Sequence, residues 1–447
     1  MGEESKRGNW SNWLEFLFST IGCLVGLGNV WRFPYVCYSN GGAAFLIPFL
    51  IAMVICGVPL FLLEMSICQY SNLGPGRVWI MCPLFKGIGY GMVVLTSIVA
   101  LYYNVIISWA LYYMAMSFSG SLPWATCDNW WNTNHCVPVG FRDVIEGNVT
   151  SVLNVTLTNL TTTMTSVMGN TSEVAVTSES SVVEFWIRNV LQATEGIESL
   201  GEIRWQLMLC LLATWVVIFF CLFKDIKTSG KVVYVAAVLP YVILMALLIR
   251  GSLLPGALEG VKYYLFPEWH RLLDFQGGNY ALTLCDWYVA SISVMLLAVG
   301  EVLVIAWVYG SSRLYADIEM MIGYRPNPVW HVFWKVISPG FVLVLWVMGM
   351  IGWKPLASYP EWTQGVGWII ALLPLLPIPI MAAVQLFSSS GTLGERLRFS
   401  IKPSPEWRPA LPADEEDDVA SHHPLKTQQQ LEQQHRLHQQ PLFEKTA

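Results

Sequence analysis

Charge is what this chain has least of. Asp, Glu, Lys and Arg make up only 13% of its 447 residues, whereas 54% are hydrophobic. A soluble domain needs roughly a quarter of its residues charged to keep its surface in water, so a freely soluble globule is excluded. The net charge of −6 owes much to the run Asp414 to Asp418, and no basic patch exists that could hold a nucleic acid. Histidine is also rare, at seven, and none lies well inside an apolar stretch. His435 and His438 sit in a Gln-rich tail without cysteines, which fits a solvated segment better than a metal site. There is no nucleophile–base–acid constellation and no phosphate loop, so the sequence does not point to an enzyme. Met1 to Arg7 is polar and lacks the apolar core of a cleaved leader, so the first apolar segment is expected to direct its own insertion.

What is abundant is long apolar sequence. Eight stretches are long enough to span a bilayer, at about 14–36, 43–67, 88–117, 206–223, 232–254, 280–309, 330–352 and 366–387. With residues 1–13 inside, the links after the even spans are cytoplasmic. Those links carry Arg77, Lys86, Lys224, Lys227, Lys231, Arg313, Arg325 and Lys335, in keeping with the positive-inside rule. Both termini are then expected in the cytoplasm of a multi-pass plasma-membrane protein, with retention in the endoplasmic reticulum left open. The segment 388–447 reads as a cytoplasmic tail, largely disordered towards its Gln-His-Leu repeats.

The region 118–205 falls outside, and its composition agrees. Asn148, Asn154, Asn159 and Asn170 each begin an N-x-S/T sequon in a Thr/Ser-rich stretch. Cys127 and Cys136 are its only cysteines, and a disulfide between them is expected. The other eight cysteines lie in or beside apolar spans and read as small hydrophobes.

The first span is the unusual one. Gly22, Gly26, Gly28, Asn29, Arg32 and Pro34 interrupt it. A helix opened at membrane depth is tolerable only where its freed backbone groups face protein or a wet cavity. Such a break offers carbonyl oxygens to a cation and a dipole end to an anion. The alternative is a small-residue seam where two helices pack closely. Glycines alone favour the seam; Asn29 and Arg32 favour an ion and substrate site.

The text around this break is specific. Gly26-Leu-Gly-Asn-Val-Trp-Arg-Phe-Pro-Tyr35, Asn40-Gly-Gly42, Gly57-Val-Pro-Leu-Phe61 with Glu64, and Leu101-Tyr-Tyr-Asn-Val105 resemble the sodium-coupled neurotransmitter and amino-acid symporters, the family of the bacterial leucine transporter. Pro123-Trp124, Ser229-Gly-Lys-Val-Val-Tyr234 and Lys402-Pro-Ser-Pro-Glu-Trp-Arg-Pro409 extend the likeness. It implies an all-α bundle of two inverted repeats. The carbonyls of Gly22 and Val25 match ligands of one sodium ion, and the Leu24 carbonyl with the Asn29 side chain match ligands of another. Cys23, Leu27, Val99 and Tyr103 match the substrate pocket, with Tyr103 on the substrate carboxylate. Arg32 and Asp286 match the outer gate, and Arg7 with Trp10 the inner one. Glu64 is expected to be a buried acid that caps freed amides.

Two departures shape the expected cargo. Cys23 stands where the family carries Gly or, in amine carriers, Asp, which favours an amino-acid-like substrate. Phe49 stands where chloride-dependent members have a Tyr hydroxyl, which leaves chloride open. A larger departure follows Leu265-Phe-Pro-Glu-Trp-His-Arg-Leu-Leu-Asp274. The text jumps at Phe275-Gln-Gly-Gly-Asn279, and 280–387 resembles the family's last three helices. Spans 14–117 and 206–254 match the first five, so helices six to nine are missing and 255–279 is a link containing the junction. The expectation is an incomplete leucine-transporter-like bundle of about eight helices that does not perform coupled transport alone. A rival role is a non-transporting membrane protein that associates with and regulates full-length carriers; a homo-oligomer is the other candidate assembly.

Overall fold

A computed structural model describes residues 13–26, 28–39, 42–138, 179–194, 201–222, 226–265, 289–351 and 361–409. The protein is overwhelmingly helical; among the described residues the only strands are β1 (Cys136–Val137) and β2 (Glu179–Ser180). It divides into two units, residues 1–99 with 224–447, and residues 100–223.

The larger unit begins with α1 (Trp13–Leu24), which is followed by a break and a wide π turn at Gly28–Arg32. Then come α2 (Phe33–Ser39), α3 (Ala43–Ala52) and α4 (Val58–Ser71), the last two joined by a π turn at Met53–Gly57. The long α5 (Lys86–Met116) leads into the second unit. That unit contains the short α6 (Ser181–Glu184) and α7 (Trp205–Leu222). The chain returns to the first unit with α8 (Ile226–Ser252) and α9 (Ala257–Leu265). Next are α10 (Met295–Leu303), α11 (Ser311–Ile322), α12 (Val329–Val332) and α13 (Ser338–Ile351). The last elements are α14 (Glu361–Leu372), α15 (Pro377–Ser388) and α16 (Leu393–Ile401).

Four continuous helices among the described residues are long and apolar enough to cross a bilayer: Ala44–Ser71, Pro83–Met116, Ile292–Ile322 and Val329–Ile351. Two bent pairs bring the number to six, Ala237–Ser252 with Ala257–Leu265 at 113° and Trp362–Leu372 with Pro377–Ser388 at 43°. The helix expected to stop near residue 309 continues through α11, past Gly310 at φ 99°.

Proline explains much of the local geometry. Pro59 cannot donate to the Ile55 carbonyl one turn back. The Ser338 hydroxyl on α13 supplies that bond at 2.7 Å, and the Trp334 indole donates to the Pro59 carbonyl at 2.7 Å. The π turn in Gly57-Val-Pro thus costs no unmet acceptor at Ile55 and fixes α13 against α4. The α14–α15 elbow works likewise: Leu375 donates to Leu372 instead of Ala371, and the Ser293 hydroxyl takes the Ala371 carbonyl. Against this elbow the start of α5 approaches very closely. A Cβ at Gly87 would fall 2.3 Å from the Pro377 carbonyl oxygen, so a larger residue is excluded there.

The core of this unit gathers Leu63, Ile67 and Tyr70 from α4 with Trp79, Ile305, Leu314 and Trp334. Lys402–Pro409 folds back onto it. The Ser404 N–H donates to the Ile80 carbonyl at 2.9 Å. Trp407, 6% exposed, packs beside Tyr70 and Tyr309 and donates its indole N–H to the Tyr309 hydroxyl at 2.9 Å. Tyr309 in turn donates to the buried Asp317 carboxylate. Cys82 is also buried here; burial pushes its thiol up to about 12, so it behaves as an inert apolar residue.

The second unit is organised around Phe185, Val190 and Tyr112, with Trp109, Trp124 and Trp131 packed on them. Cys127 and Cys136 form a disulfide with their Cα atoms 5.8 Å apart. β1 pairs in parallel with β2, Cys136 opposite Glu179. Glu184, fully buried, accepts bonds from the Thr133 N–H at 2.9 Å, the Thr133 hydroxyl and the Asn132 amide at 3.0 Å. The region 118–205, expected as a loop, therefore has an ordered foot; Asn148, Asn154, Asn159 and Asn170 lie outside the described residues.

Candidate functional site

The helix that should run unbroken through the first apolar span does not. α1 ends at Leu24 and helical structure resumes at Gly28. Two glycines here each weaken a helix by about 1 kcal/mol relative to Ala. Val25 still donates to the Ile21 carbonyl at 3.0 Å, and Asn29 donates its N–H to Gly26 at 3.1 Å, a tighter turn. The Asn29 side-chain amide then bonds the Leu24 carbonyl at 3.0 Å. In an unbroken helix that carbonyl would meet the N–H of Gly28. The side chain thus bridges the two ends of the break.

This geometry bears on the choice left open by the sequence. A Cβ built at Gly26 or Gly28 meets nothing within 4 Å, so these glycines close no helix–helix seam among the described residues. The break also sets the C-terminal end of α1, with its partial negative charge, beside an amide that carries both a donor and an acceptor. As drawn, the Asn29 N–H₂ satisfies Leu24. Turned over, the same amide would present a second hard oxygen beside that carbonyl, the type of ligand an alkali or alkaline-earth cation takes.

Of the other residues expected here, Gly22 and Val25 lie at the end of α1 and at the break, both half-buried. Arg32 closes the π turn and is exposed. Val99 and Tyr103 lie four residues apart on α5, and Tyr103 packs its ring 5.3 Å from that of Tyr102. Leu27, Asp286, Arg7 and the side chain of Cys23 lie outside the described residues. Phe49 joins Phe33 and Phe45 in an aromatic cluster, its ring 4.8 Å from Phe33.

Glu64 requires a correction. It was expected to be a buried cap and is exposed. The buried face of α4 is formed by Leu63, Ser66, Ile67 and Tyr70, at helical spacing, and Glu64 sits about 100° round from it. Its carboxyl acts electrostatically on Glu301, a buried carboxyl on α10. That pairing and the Trp407–Tyr309–Asp317 chain were not foreseen. The signal for the second was available, since an aromatic residue in a polar segment just after the last helix invites burial.

The profile of the sodium:neurotransmitter symporter family matches residues 7–277 and 274–389. The chain belongs to the sodium:neurotransmitter symporter family. It is therefore a multi-pass membrane protein of a transporter family, not an enzyme. Three relatives illustrate the similarity. The sodium- and chloride-dependent GABA transporter 2 of Rattus norvegicus is 30% identical, over 89% of this chain and 90% of its own length. The sodium- and chloride-dependent glycine transporter 1 of Xenopus laevis is 30% identical, over 92% and 89%. The sodium- and chloride-dependent glycine transporter 2 of Xenopus laevis is 29% identical, over 92% and 73%. The first of these alignments runs over 566 residues against the 447 of this symporter-family chain, so more than a hundred of its positions meet no residue here. The two profile matches abut at 274–277, where the sequence motifs jump.

Proposed function

We propose that this chain keeps the first-repeat half of a sodium-coupled amino-acid symporter and does not perform coupled transport on its own. The observation that carries the reading is the opened turn at Leu24–Asn29, supported by an alignment in which more than a hundred positions meet no residue here and by two profile matches that abut at 274–277. Sodium is the coupled cargo in this reading. The carbonyls of Gly22 and Val25 serve one ion, and Leu24 with Asn29 serve the other. The ligands fit sodium in kind but not in number: two or three oxygens do not replace a hydration shell, and hard cations commonly take about six or more. By family resemblance, Cys23, Leu27, Val99 and Tyr103 are the positions assigned to a small amino-acid substrate such as glycine, proline or GABA. Arg32 with Asp286, and Arg7, are the remnants of its gates. Phe49 supplies no hydroxyl for chloride, which leaves chloride coupling open in this reading.

Uptake of radiolabelled glycine, proline and GABA by cells expressing the chain, with sodium and with sodium replaced by choline, tests this. The expected result is no sodium-dependent uptake above untransfected cells. Robust uptake would refute the proposal.

A further inference from the structure

The second unit holds a cluster of polar groups that its own hydrogen bonds do not satisfy. A π turn at Phe185–Leu191 ends where Gln192 adopts a left-handed backbone at φ 47°. The last carbonyls of that turn therefore have no helical N–H ahead of them. Arg204, the residue just before α7, reaches back and donates an Nη2–H to the Asn189 carbonyl. The contact caps a helical end with a cation, and it uses only one of five guanidinium donors.

The groups left over lie at the same junction. Arg204 Nε is buried without a hydrogen-bond partner, and it shares a guanidinium edge with the Nη2 that meets Asn189. Asn189 is only 4% exposed, and its side-chain amide nitrogen is buried and unpartnered as well. Gln206, in the first turn of α7, buries its Oε1 in the same way. The helix ladder there begins with Met208 donating to the Arg204 carbonyl, so the N–H groups of that first turn have no intrahelical acceptor. The neighbouring ion pair joins Arg188 to Glu179 at 4.0 Å, and among the described residues no carboxylate pairs with Arg204.

A buried donor left unmet is costly, and more so on a cation. A water molecule would bridge two donors to the Gln206 oxygen but would bring no charge to the guanidinium. An anion brings the charge and accepts from every donor. With its amide turned over, Gln206 becomes a further donor, and the partial positive charge at the start of an 18-residue helix adds to the attraction.

We propose that Arg204, Asn189 and the first turn of α7 bind one small monovalent anion, for which chloride is the probe. One guanidinium sets the charge, and donors from two adjoining residues suit a small ion. The site lies wholly within the second unit, whereas Phe49 belongs to the other, and it does not depend on whether the chain transports.

The full chain, purified in detergent, is compared in sodium chloride, sodium bromide and sodium gluconate at equal ionic strength. Hydrogen exchange of a peptide covering 185–191 is the readout, and a peptide from α13, in the other unit, reports general salt effects. An anion at ten times its Kd slows local opening about tenfold, so exchange at least about threefold slower in both halides than in gluconate is expected. Asn189→Asp keeps the side-chain size and supplies a fixed carboxylate beside Arg204. N189D should exchange in gluconate as slowly as the unaltered chain does in chloride, and should no longer respond to halide. Arg204→Gln should also lose the response but exchange faster, because the cap on Asn189 goes with it. Equal exchange in all three salts for the unaltered chain overturns the proposal. So does equal slowing in the α13 peptide, or a halide response that survives in N189D.

Discussion

Glu184→Ala should loosen the ordered foot of the outer region by an amount that can be worked out from its hydrogen bonds. The carboxylate is fully buried and accepts from the Thr133 N–H, the Thr133 hydroxyl and the Asn132 amide. These span about fifty residues of chain and tie the disulfide loop to α6. A bond to a charged group contributes about 1.5–3 kcal/mol, but the hydroxyl can turn to another acceptor, so the donors left behind are the fixed N–H and the amide. Their loss predicts about 3–4 kcal/mol, roughly 150- to 1000-fold in local opening. Glu184→Gln keeps the volume and one acceptor oxygen and should cost about half as much, roughly 10- to 30-fold. Hydrogen exchange of a peptide covering 129–136, with Cys127–Cys136 kept oxidised, measures both. The pH dependence is a second check. Burial pushes the Glu184 carboxyl up, but the bonds from Thr133 and Asn132 and the Arg188 charge outweigh it and hold it below the usual value. A carboxyl lowered by folding stabilises the fold above its unfolded value, about 4.3, and that contribution fades as pH falls through the folded value. Protection should therefore stay level from pH 7 to about 5 and decline only below about 4. Unchanged exchange in Glu184→Ala, or a decline already at pH 6, would refute this account.

Trp407→Ala should lower the detergent melting point of the larger unit by the equivalent of about 3–5 kcal/mol, while Trp407→Phe, which keeps a ring but no donor to Tyr309, should cost less than half of that. Equal losses would show that the ring's packing is immaterial and that the indole bond to Tyr309 carries the whole effect. Ser338→Ala removes the donor to the Ile55 carbonyl that Pro59 leaves open and should cost about 1 kcal/mol, with Ser338→Thr largely restoring the melting point. Cys127→Ser releases a short loop and should destabilise the second unit by about 2.5–3 kcal/mol, read by proteolysis of the outer region. Combined with Glu184→Ala, its effect should be less than additive, because both act on the same loop.

How much of this was legible beforehand follows from the range of each cause. The break in the first crossing could be read because its cause is local: Gly22, Gly26 and Gly28 weaken a helix wherever they stand, and Asn29 lies within reach of its own backbone. The disulfide was legible for a similar reason, as Cys127 and Cys136 are nine residues apart and had no competitor in the outer region. Glu64 was misplaced because its burial depends on which face of α4 meets the core, and Leu63 and Ile67 win that face. The Trp407–Tyr309–Asp317 chain joins residues up to 98 apart, and no local pattern at either end specifies the other. The same distinction separates the two halves of the functional question. A single segment can open its own helix and set its own Asn29 amide on the Leu24 carbonyl, so this part of the proposed half-site needs no other helix. Closing a shell around an ion requires ligands from elements far away in sequence, and on the proposed reading those are what this chain lacks beyond the junction at 274–277.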